Sequence, residues 1–193
     1  MMQEPVHIKE LYQPGGRFFE AGMFAQHAVG AYFSYSNSAW GLVASIVEIA
    51  SGERFDRYTK RVLFDPMGMQ ASFNAVDIPL THFGTLYRAT DGAWVAQADD
   101  VLANPPQERA PATYELGSNG LYYGPQGSLR CSTADLITFL QLFYQNGRVN
   151  NQQILQPESL KRMTESRWVY TGANGDTWEG FWMGYGLGLQ HIQ

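Results

Sequence analysis

The clearest hydrophobic pattern lies between residues 38 and 51. Apolar side chains recur there at helical spacing, Asn37 or Ser38 can serve as the N-cap, and Gly52 stands where a helix end is usually followed by glycine. Glu48 is the only charged residue in this stretch. Because apolar residues cover nearly every face, we expect this helix to be buried in the middle of a larger fold.

Three further helices are predicted from the same kind of pattern. One runs from about residue 53 to residue 63, and one begins at a capping-box-like start at residues 132–135 and closes at Asn146 and Gly147. A third has Pro157 at its first position and runs to about Glu165. The helix that starts at residue 132 is expected to bury one apolar stripe: Leu136, Phe139, Leu140 and Phe143.

The strands are expected to be short. Residues 73–116 contain alternating stretches such as residues 92–96, residues 117–130 are glycine-rich and indicate a loop, and residues 149–155 indicate a short strand or turn. The tail predicts two strands, near residues 168–170 and 180–189, joined by a turn at Asn174 and Gly175. Helices come first and strands last, and this order favours an α+β fold over a regular βαβ alternation.

Composition narrows the function classes. The chain has 193 residues, 45% hydrophobic residues and a net charge of −5, which is typical of a globular chain with room for a packed core. An acidic chain with few lysines makes a nucleic-acid or anionic-membrane partner improbable, since phosphate binding needs a basic surface. A single cysteine excludes an intrachain disulfide and a multi-cysteine metal cage. No apolar stretch is long enough to cross a bilayer, and no signal-peptide pattern is visible.

Most standard catalytic signatures are absent from the sequence. It contains no phosphate-binding loop, no HExxH, no CxxC and no GxSxG nucleophile elbow. The alternating glycines at residues 184–188 resemble a dinucleotide loop only superficially, because no third glycine at the right spacing and no helix follow. We therefore predict neither a cofactor nor a metal ion, although four histidines are scattered along the chain: His7, His27, His82 and His191.

One short segment carries candidate chemistry at the start of the first helix. A hydroxyl such as that of Tyr35, placed near a helix N-terminus, lies in a positive local field that favours the phenolate and suits general-base work. Asn37 can donate and accept hydrogen bonds at once, which suits the binding of an amide. The same residues also have a structural interpretation, in which Asn37 only caps the helix and Tyr35 only packs its ring.

The sequence around this segment resembles the serine β-lactamase-like family, which includes class C β-lactamases, D-alanyl-D-alanine peptidases and related esterases. Residues 33–43 (FSYSNSAWGLV) resemble its Y-x-N region, and residues 64–69 (FDPMGM) resemble its P-[LM]-G-M segment. Residues 125–136 (PQGSLRCSTADL) resemble the P-x-G-G-L-x-S-T-A-x-D-L run, residues 146–155 the following hairpin, and residues 184–188 (GYGLG) a late strand. The blocks occur in the family's order over roughly residues 30–189.

The resemblance implies a fold, a reaction and two site residues. The fold is α+β and β-lactamase/transpeptidase-like, with an irregular segment at 1–33, a mainly helical lobe at 34–166 and strands of the sheet at 167–193. Family members form an acyl-enzyme through the serine of an S-x-x-K motif, whose i, i+3 spacing places serine and lysine on one helical face. By position, Tyr35 and Asn37 take the Y-x-N roles, and the substrate is a β-lactam, a D-Ala peptide or an ester.

Two of the family's motifs have no counterpart in these 193 residues. No serine is followed three residues later by lysine, so the S-x-x-K motif is missing, and so is the late K-T-G or H-x-G strand that lines the pocket in the family. His82-Phe83-Gly84 spells H-x-G, but it lies far from where the family places that motif, so we interpret it as coincidence. We therefore expect a segment of a serine hydrolase that is inactive by itself. The alternatives are a non-catalytic binding or scaffold protein of the same fold, and an unrelated reaction that uses Tyr35 with a histidine.

The same resemblance leads to one expectation about assembly. In the family the outer strands belong to one antiparallel sheet, so a strand over residues 180–189 without its neighbour would expose an edge for self-association. A small molecule or peptide is the expected substrate partner. Family members are often periplasmic or secreted, and the sequence leaves the compartment open.

Overall fold

The computed structural model describes residues 6–97, 104–119 and 122–192. Five α-helices lie in this part of the chain: α1 (Ile8–Tyr12), α2 (Asn37–Ser51), α3 (Phe55–Thr59), α4 (Thr133–Tyr144) and α5 (Pro157–Thr164). A π-helical turn, Lys60–Phe64, continues α3 directly, and three short 3-10 turns occupy Ala21–Met23, Ala75–Asp77 and Leu80–His82. None of the helices within the described residues is long and apolar enough to span a bilayer.

Six short strands form three separate antiparallel pairs in the described residues. β1 (Tyr87–Thr90) pairs with β2 (Ala93–Ala96), β3 (Arg148–Val149) with β4 (Gln152–Gln153), and β5 (Trp168–Val169) with β6 (Gly184–Tyr185). The strand predicted at residues 92–96, the hairpin at 149–155 and the loop character of the described part of 117–130 are confirmed. Helices with small antiparallel sheets also confirm the α+β class.

The ends of α2 follow local backbone chemistry. Ser36 is the N-cap, and its side chain accepts a hydrogen bond from the backbone N–H of Ala39. The prediction that Asn37 or Ser38 caps the helix is therefore wrong by one or two residues, because both already lie in the first helical turn. Gly52 ends the helix in the left-handed region at φ 70°, as its position predicts.

The described residues cover only one face of α2, so its expected burial in the middle of a larger fold stays a prediction. Its buried face carries the small residues and the acidic one, Gly41, Ala44, Ser45 and Glu48. Its large aliphatic side chains stand on the opposite face, where Ile46 is 63% and Ile49 70% exposed. The small face packs closely against Phe55 and Tyr123, so the described residues cover the side of the helix that the hydrophobic pattern does not single out.

Glu48 fixes the loop that runs over α2. Its carboxylate is fully buried and accepts hydrogen bonds from the hydroxyl of Tyr114 and from the backbone N–H groups of Phe55 and Gly117. Burial, and then the hydrogen bond to Glu48, raise the pKa of Tyr114 well above its usual range, so the phenol stays protonated as the donor. A buried carboxylate with three donors thus ties residues 114–117 to the start of α3.

The main apolar core lies between the π-helical turn, α4 and the β3–β4 hairpin. Ser132 and Asp135 form a complete capping box at the start of α4, as predicted, with Ser132 accepting from the N–H of Asp135 and Asp135 accepting in return. The predicted stripe of α4 is partly wrong, because Leu136 and Leu140 are exposed while Leu142 is fully buried. The buried residues of this core are Phe64, Met67, Met69, Ala71, Leu142 and Val149.

The C-terminal strands differ most from the prediction. β5 and β6 are present, but the strand expected over residues 180–189 extends only over Gly184–Tyr185, and the chain then turns back so that Tyr185 bridges Gln190. Both sides of β6 therefore have backbone partners, and the edge expected at this strand is not free. The connection from β5 to β6 spans residues 170–183 and contains Asn174 and Gly175, the predicted turn residues, of which Gly175 forms a bridge with Phe33.

Candidate functional site

The structure brings Tyr35 and Asn37 together at the start of α2. The hydroxyl of Tyr35 donates a hydrogen bond of 2.8 Å to Oδ1 of Asn37. Ser36, between them, caps the helix, so its extended backbone directs the two flanking side chains to the same side. The pair lies at the N-terminus of a 15-residue helix, where partial positive charge favours an anionic group.

The ring of Tyr35 is held by an aromatic cluster from the C-terminal hairpin. It stacks on Trp182 with ring centroids 5.0 Å apart and an interplanar angle of 10°. Trp182 in turn meets Tyr185 in an edge-to-face contact at 5.7 Å, and Phe33 lies 5.2 Å from Tyr185 and stacks on Trp168 at 4.3 Å. Stacked and edge-to-face pairs of this kind add stability beyond the apolar area that they bury.

A backbone pairing joins this cluster to the segment before α2. The N–H of Phe33 donates to the carbonyl of Asn174 at 3.0 Å, and its carbonyl accepts from the N–H of Asp176 at 2.9 Å. Gly175 stands between these two partners, and a Cβ there would lie only 2.4 Å from Cζ2 of Trp168. Glycine is therefore needed at this position because the indole ring occupies the place of a side chain.

Tyr35 lines a pocket of about 230 Å³. Four aromatic and two aliphatic residues form most of its wall, and the remaining lining residues are two serines. Burial, and then the neighbouring Tyr35, raise the pKa of Tyr185, so this second phenol stays neutral at the pocket wall. The lining residues are Phe33, Ser34, Tyr35, Ser36, Ala39, Trp40, Val43 and Tyr185.

A larger open cavity of about 740 Å³ lies elsewhere, between the turn at Gly68 and the start of α4. It holds the H-x-G segment at residues 82–84 together with Arg130 and Cys131, and it shares no lining residue with the pocket of Tyr35. Burial raises the pKa of the Cys131 thiol, which makes it a poor nucleophile. The structure thus separates His82 from the Y-x-N-like pair.

A cluster of charged side chains around the buried Asp56 supports the helical lobe. Arg54 forms a bidentate pair with the fully buried Asp56, with both N–O distances at 2.7 Å, and its guanidinium lies 4.5 Å from the centre of the Tyr123 ring. Glu108 accepts hydrogen bonds from Arg54, from Tyr123 and from the side chain of Asn74. Burial raises the pKa of Glu108, but these hydrogen bonds outweigh it and lower the pKa below its usual range.

No sequence pattern indicated the residues that surround the candidate pair. Trp182, Tyr185, Trp168 and Phe33 have no periodic pattern that would bring them to Tyr35, and only the high aromatic content of the chain hints at such a cluster. Within the described residues, no group of three or more histidine, cysteine, aspartate or glutamate side chains could hold a metal ion.

The sequence pattern of the Beta-lactamase family matches residues 18–192 of this chain. Solved structures with a similar fold include the octameric penicillin-binding protein homologue from Pyrococcus abyssi, with 20% identity over 83% of this chain and a TM-score of 0.55. Another is the D-amino acid amidase from Ochrobactrum anthropi SV3 in complex with L-phenylalanine amide, with 16% identity over 83% of this chain and a TM-score of 0.52. No curated protein sequence matches the chain significantly.

The fold and the matched pattern define the class as a β-lactamase/transpeptidase-like protein. The chain belongs to the Beta-lactamase family, a family of serine hydrolases, because the family pattern covers nearly its whole length. It spans 30% of the length of the penicillin-binding protein homologue and 39% of that of the amidase. The resemblance inferred from the sequence motifs is confirmed.

Proposed function

We propose that Tyr35 and Asn37 form one wall of the acyl-transfer site of a β-lactamase-like serine hydrolase. The observation that carries the proposal is the 2.8 Å hydrogen bond between the two side chains at the start of α2, beside a pocket. The substrate is a β-lactam, a D-Ala peptide or an ester. The reaction passes through an acyl-enzyme on the serine of an S-x-x-K motif.

The geometry supports a division of work between the two residues. With Oδ1 of Asn37 engaged by the Tyr35 hydroxyl, the Nδ2 branch of the same amide is the one suited to donate to a substrate carbonyl. The Tyr35 oxygen lies at the helix N-terminus, where the local field favours a developing negative charge during proton transfer. Tyr35 therefore relays a proton, and Asn37 orients the scissile amide or ester.

We further propose that these 193 residues form no acyl-enzyme by themselves. An acyl-enzyme needs an activated nucleophile, and none of the serines in the chain has a lysine at the i+3 position. The purified chain should take no label from a fluorescent penicillin or a fluorophosphonate, while an active family enzyme in the same assay should. A labelled serine found in this chain by mass spectrometry would contradict the proposed inactivity.

A binding experiment tests the proposed role of Asn37 in the pair with Tyr35. Any acyl-D-Ala-D-Ala peptide that binds this chain should quench its tryptophan fluorescence saturably, because Trp40 lines the pocket and Trp182 stacks on Tyr35. Asn37→Ala should weaken this binding by roughly tenfold, the effect of one lost hydrogen bond to a substrate amide. Asn104→Ala, at an exposed position outside the pocket, is the matched control. Equal binding by both variants would contradict the role of Asn37.

A non-catalytic binding protein of the same fold is the second candidate. The observation in its favour is that seven residues between positions 33 and 43, together with Tyr185, line a pocket within this one chain. Saturable peptide binding without labelling of any serine favours this candidate, whereas the absence of both favours an inactive segment of a longer hydrolase.

Self-association through an exposed sheet edge is a further proposal, now placed at a different hairpin. Within the described residues β1 and β2 pair only with each other, so each has one outer edge there, and Trp94 is 75% exposed. Val95→Lys places a charge on this hairpin and should shift the light-scattering mass at tens of micromolar towards that of a monomer. A wild-type chain that is monomeric across this range would contradict the proposal.

A further inference from the structure

We propose that the open cavity between the turn at Gly68 and the start of α4 binds a ligand that carries one carboxylate on an apolar body. The cavity shares no lining residue with the pocket of Tyr35, so it is a second site, and the proposal goes beyond the function proposed above. Its volume of about 740 Å³ lies within the roughly 300–1,000 Å³ of sites that enclose a drug-sized molecule.

One part of the cavity lining is apolar. The apolar side chains there are Ile78, Phe83, Leu86 and Leu129. Leu129 also packs against the main apolar core, so the rest of the fold holds it in place. Leu86, in contrast, is 61% exposed. An apolar ligand body that covered these side chains would remove their surface from water, which favours binding.

Arg130 supplies a positive charge next to this apolar surface. Its backbone N–H and carbonyl both pair with Ser72, at 2.9 and 3.0 Å, so the residue is anchored before any ligand binds. A guanidinium has five N–H donors, serves several acceptors at once and matches a carboxylate through two parallel hydrogen bonds. The side chains of His82 and Gln70 add further polar groups to the lining. These groups suit an anionic acceptor such as a carboxylate.

Asp135 limits the ligand to one negative charge. Among the described residues that line the cavity, it is the one acidic side chain, and Arg130 is the one with a permanent positive charge. The Asp135 carboxylate accepts from the N–H of Gln70 and from the N–H and hydroxyl of Ser132, so fixed donors already offset its charge. A phosphate dianion would bring a second negative charge towards Asp135 with no second guanidinium to balance it, whereas a carboxylate brings one.

Four small molecules separate the parts of this proposal. 4-Phenylbutanoate carries a carboxylate on an apolar body, 4-phenylbutanamide is its neutral amide, acetate lacks the body, and 3-phenylpropyl phosphate carries two negative charges at pH 8. We expect 4-phenylbutanoate to bind roughly tenfold more tightly than each of the other three. Binding of the amide, of acetate or of the phosphate as tight as that of 4-phenylbutanoate would overturn the proposal.

Backbone amide signals of the ¹⁵N-labelled chain locate the binding. 4-Phenylbutanoate should shift the signals of Gly84 and Cys131 saturably, because both residues line the cavity. The signal of Ser36, which lines the pocket of Tyr35, should stay unchanged. A shift at Ser36 without shifts at Gly84 and Cys131 would place the ligand in the other pocket and contradict the proposal. The absence of any shift would contradict it as well.

Replacement of the guanidinium tests the recognition of the carboxylate. Arg130→Gln removes the charge and the two parallel hydrogen bonds, so the affinity for 4-phenylbutanoate should fall by roughly tenfold. Arg57→Gln, at an exposed position on α3 outside the lining, is the matched control and should bind like the wild type. Equal affinities of the two variants would refute the role of Arg130.

A second pair of variants leaves Arg130 in place, so the proposal stays testable if Arg130→Gln does not fold. Because Leu86 is largely exposed, Leu86→Glu should fold, and the added negative charge should weaken 4-phenylbutanoate binding by roughly fivefold. Leu187→Glu, at a 52% exposed position outside the lining, should keep the wild-type affinity. If both variants lose affinity alike, the effect is one of net charge and the proposal is wrong.

Discussion

The phenol oxygen of Tyr114 lies 2.7 and 2.8 Å from the two carboxylate oxygens of Glu48, a side chain with no exposure to solvent. The two residues are 66 positions apart, and their contact attaches the loop before Ser118 to the middle of α2. Since α2 begins at the candidate pair, this buried contact also sets the orientation of the helix that presents Tyr35 and Asn37.

Replacement of Glu48 should strongly destabilise the fold. Glu48→Ala removes the acceptor of the Tyr114 hydroxyl and of the N–H groups of Phe55 and Gly117, so we expect a loss of about 3–5 kcal/mol in the free energy of unfolding. Tyr114→Phe removes one donor only and should cost about 1–2 kcal/mol. Urea unfolding followed by circular dichroism measures both, and a wild-type midpoint for Glu48→Ala would contradict the prediction.

The Arg54–Asp56 pair should depend on the shape of the guanidinium as well as on its charge. Arg54→Met leaves the fully buried Asp56 carboxylate without its bidentate partner and should cost about 3–5 kcal/mol. Arg54→Lys keeps the charge but loses one of the two parallel hydrogen bonds, so an intermediate loss is expected. Denaturant titration of the three proteins should give this order, and equal stability of Arg54→Lys and the wild type would refute it.

The capping box of α4 should make part of the stability dependent on pH. Burial raises the pKa of Asp135, but hydrogen bonds from Ser132 and from the N–H of Gln70 outweigh this effect and lower it. A folded-state pKa below the unfolded one means that Asp135 stabilises the fold above about pH 4 and loses this contribution as the pH falls through the folded value. Asp135→Asn should flatten this part of the stability profile between neutral and acidic pH.

Ser132→Ala is the matched test of the same box at constant pH. It removes the side chain that accepts from the N–H of Asp135 and should cost about 1 kcal/mol at pH 7. An unchanged thermal midpoint for this variant would show that the box contributes little to stability.

Gly175 should tolerate no side chain. A Cβ at this position would lie 2.4 Å from the Trp168 ring and 3.2 Å from Cβ of Phe33, so Gly175→Ala should displace the indole and destabilise the fold by about 1–3 kcal/mol. Gly84→Ala, where a Cβ meets nothing within 4 Å, should be close to neutral. Near-ultraviolet circular dichroism should lose tryptophan signal in the first variant only, and identical spectra for both would contradict the packing described.

The sequence predicted best those features that depend on neighbours in the chain. The capping box at Ser132, the proline at the first turn of α5 and the left-handed Gly52 are local solutions to unpaired backbone groups or to backbone strain, and each was found where its residue type indicated. The exact cap of α2 was misplaced because three serine and asparagine residues in a row all suit that position, and local chemistry does not choose between them.

Burial was predicted less well than helix position. The pattern along α2 indicated apolar cover on all sides, yet the described residues bury Glu48 and leave Ile46 exposed. Glu48 can be buried because Tyr114 and Gly117, 66 and 69 residues away, supply donors to its carboxylate. Periodicity reports which face of a helix is apolar, but the partners that satisfy a buried polar group come from distant parts of the chain.

The sequence by itself determined the family, the α+β class and the placement of Tyr35 and Asn37 at a helix start, because ordered motifs and local backbone chemistry are written in adjacent residues. Only the tertiary structure decided what surrounds that pair. The Phe33–Gly175 pairing and the hairpin of β5 and β6 bring Trp168, Trp182 and Tyr185 against the rings of Phe33 and Tyr35. Ring packing between distant segments is governed by shape and by apolar area, which no local pattern specifies.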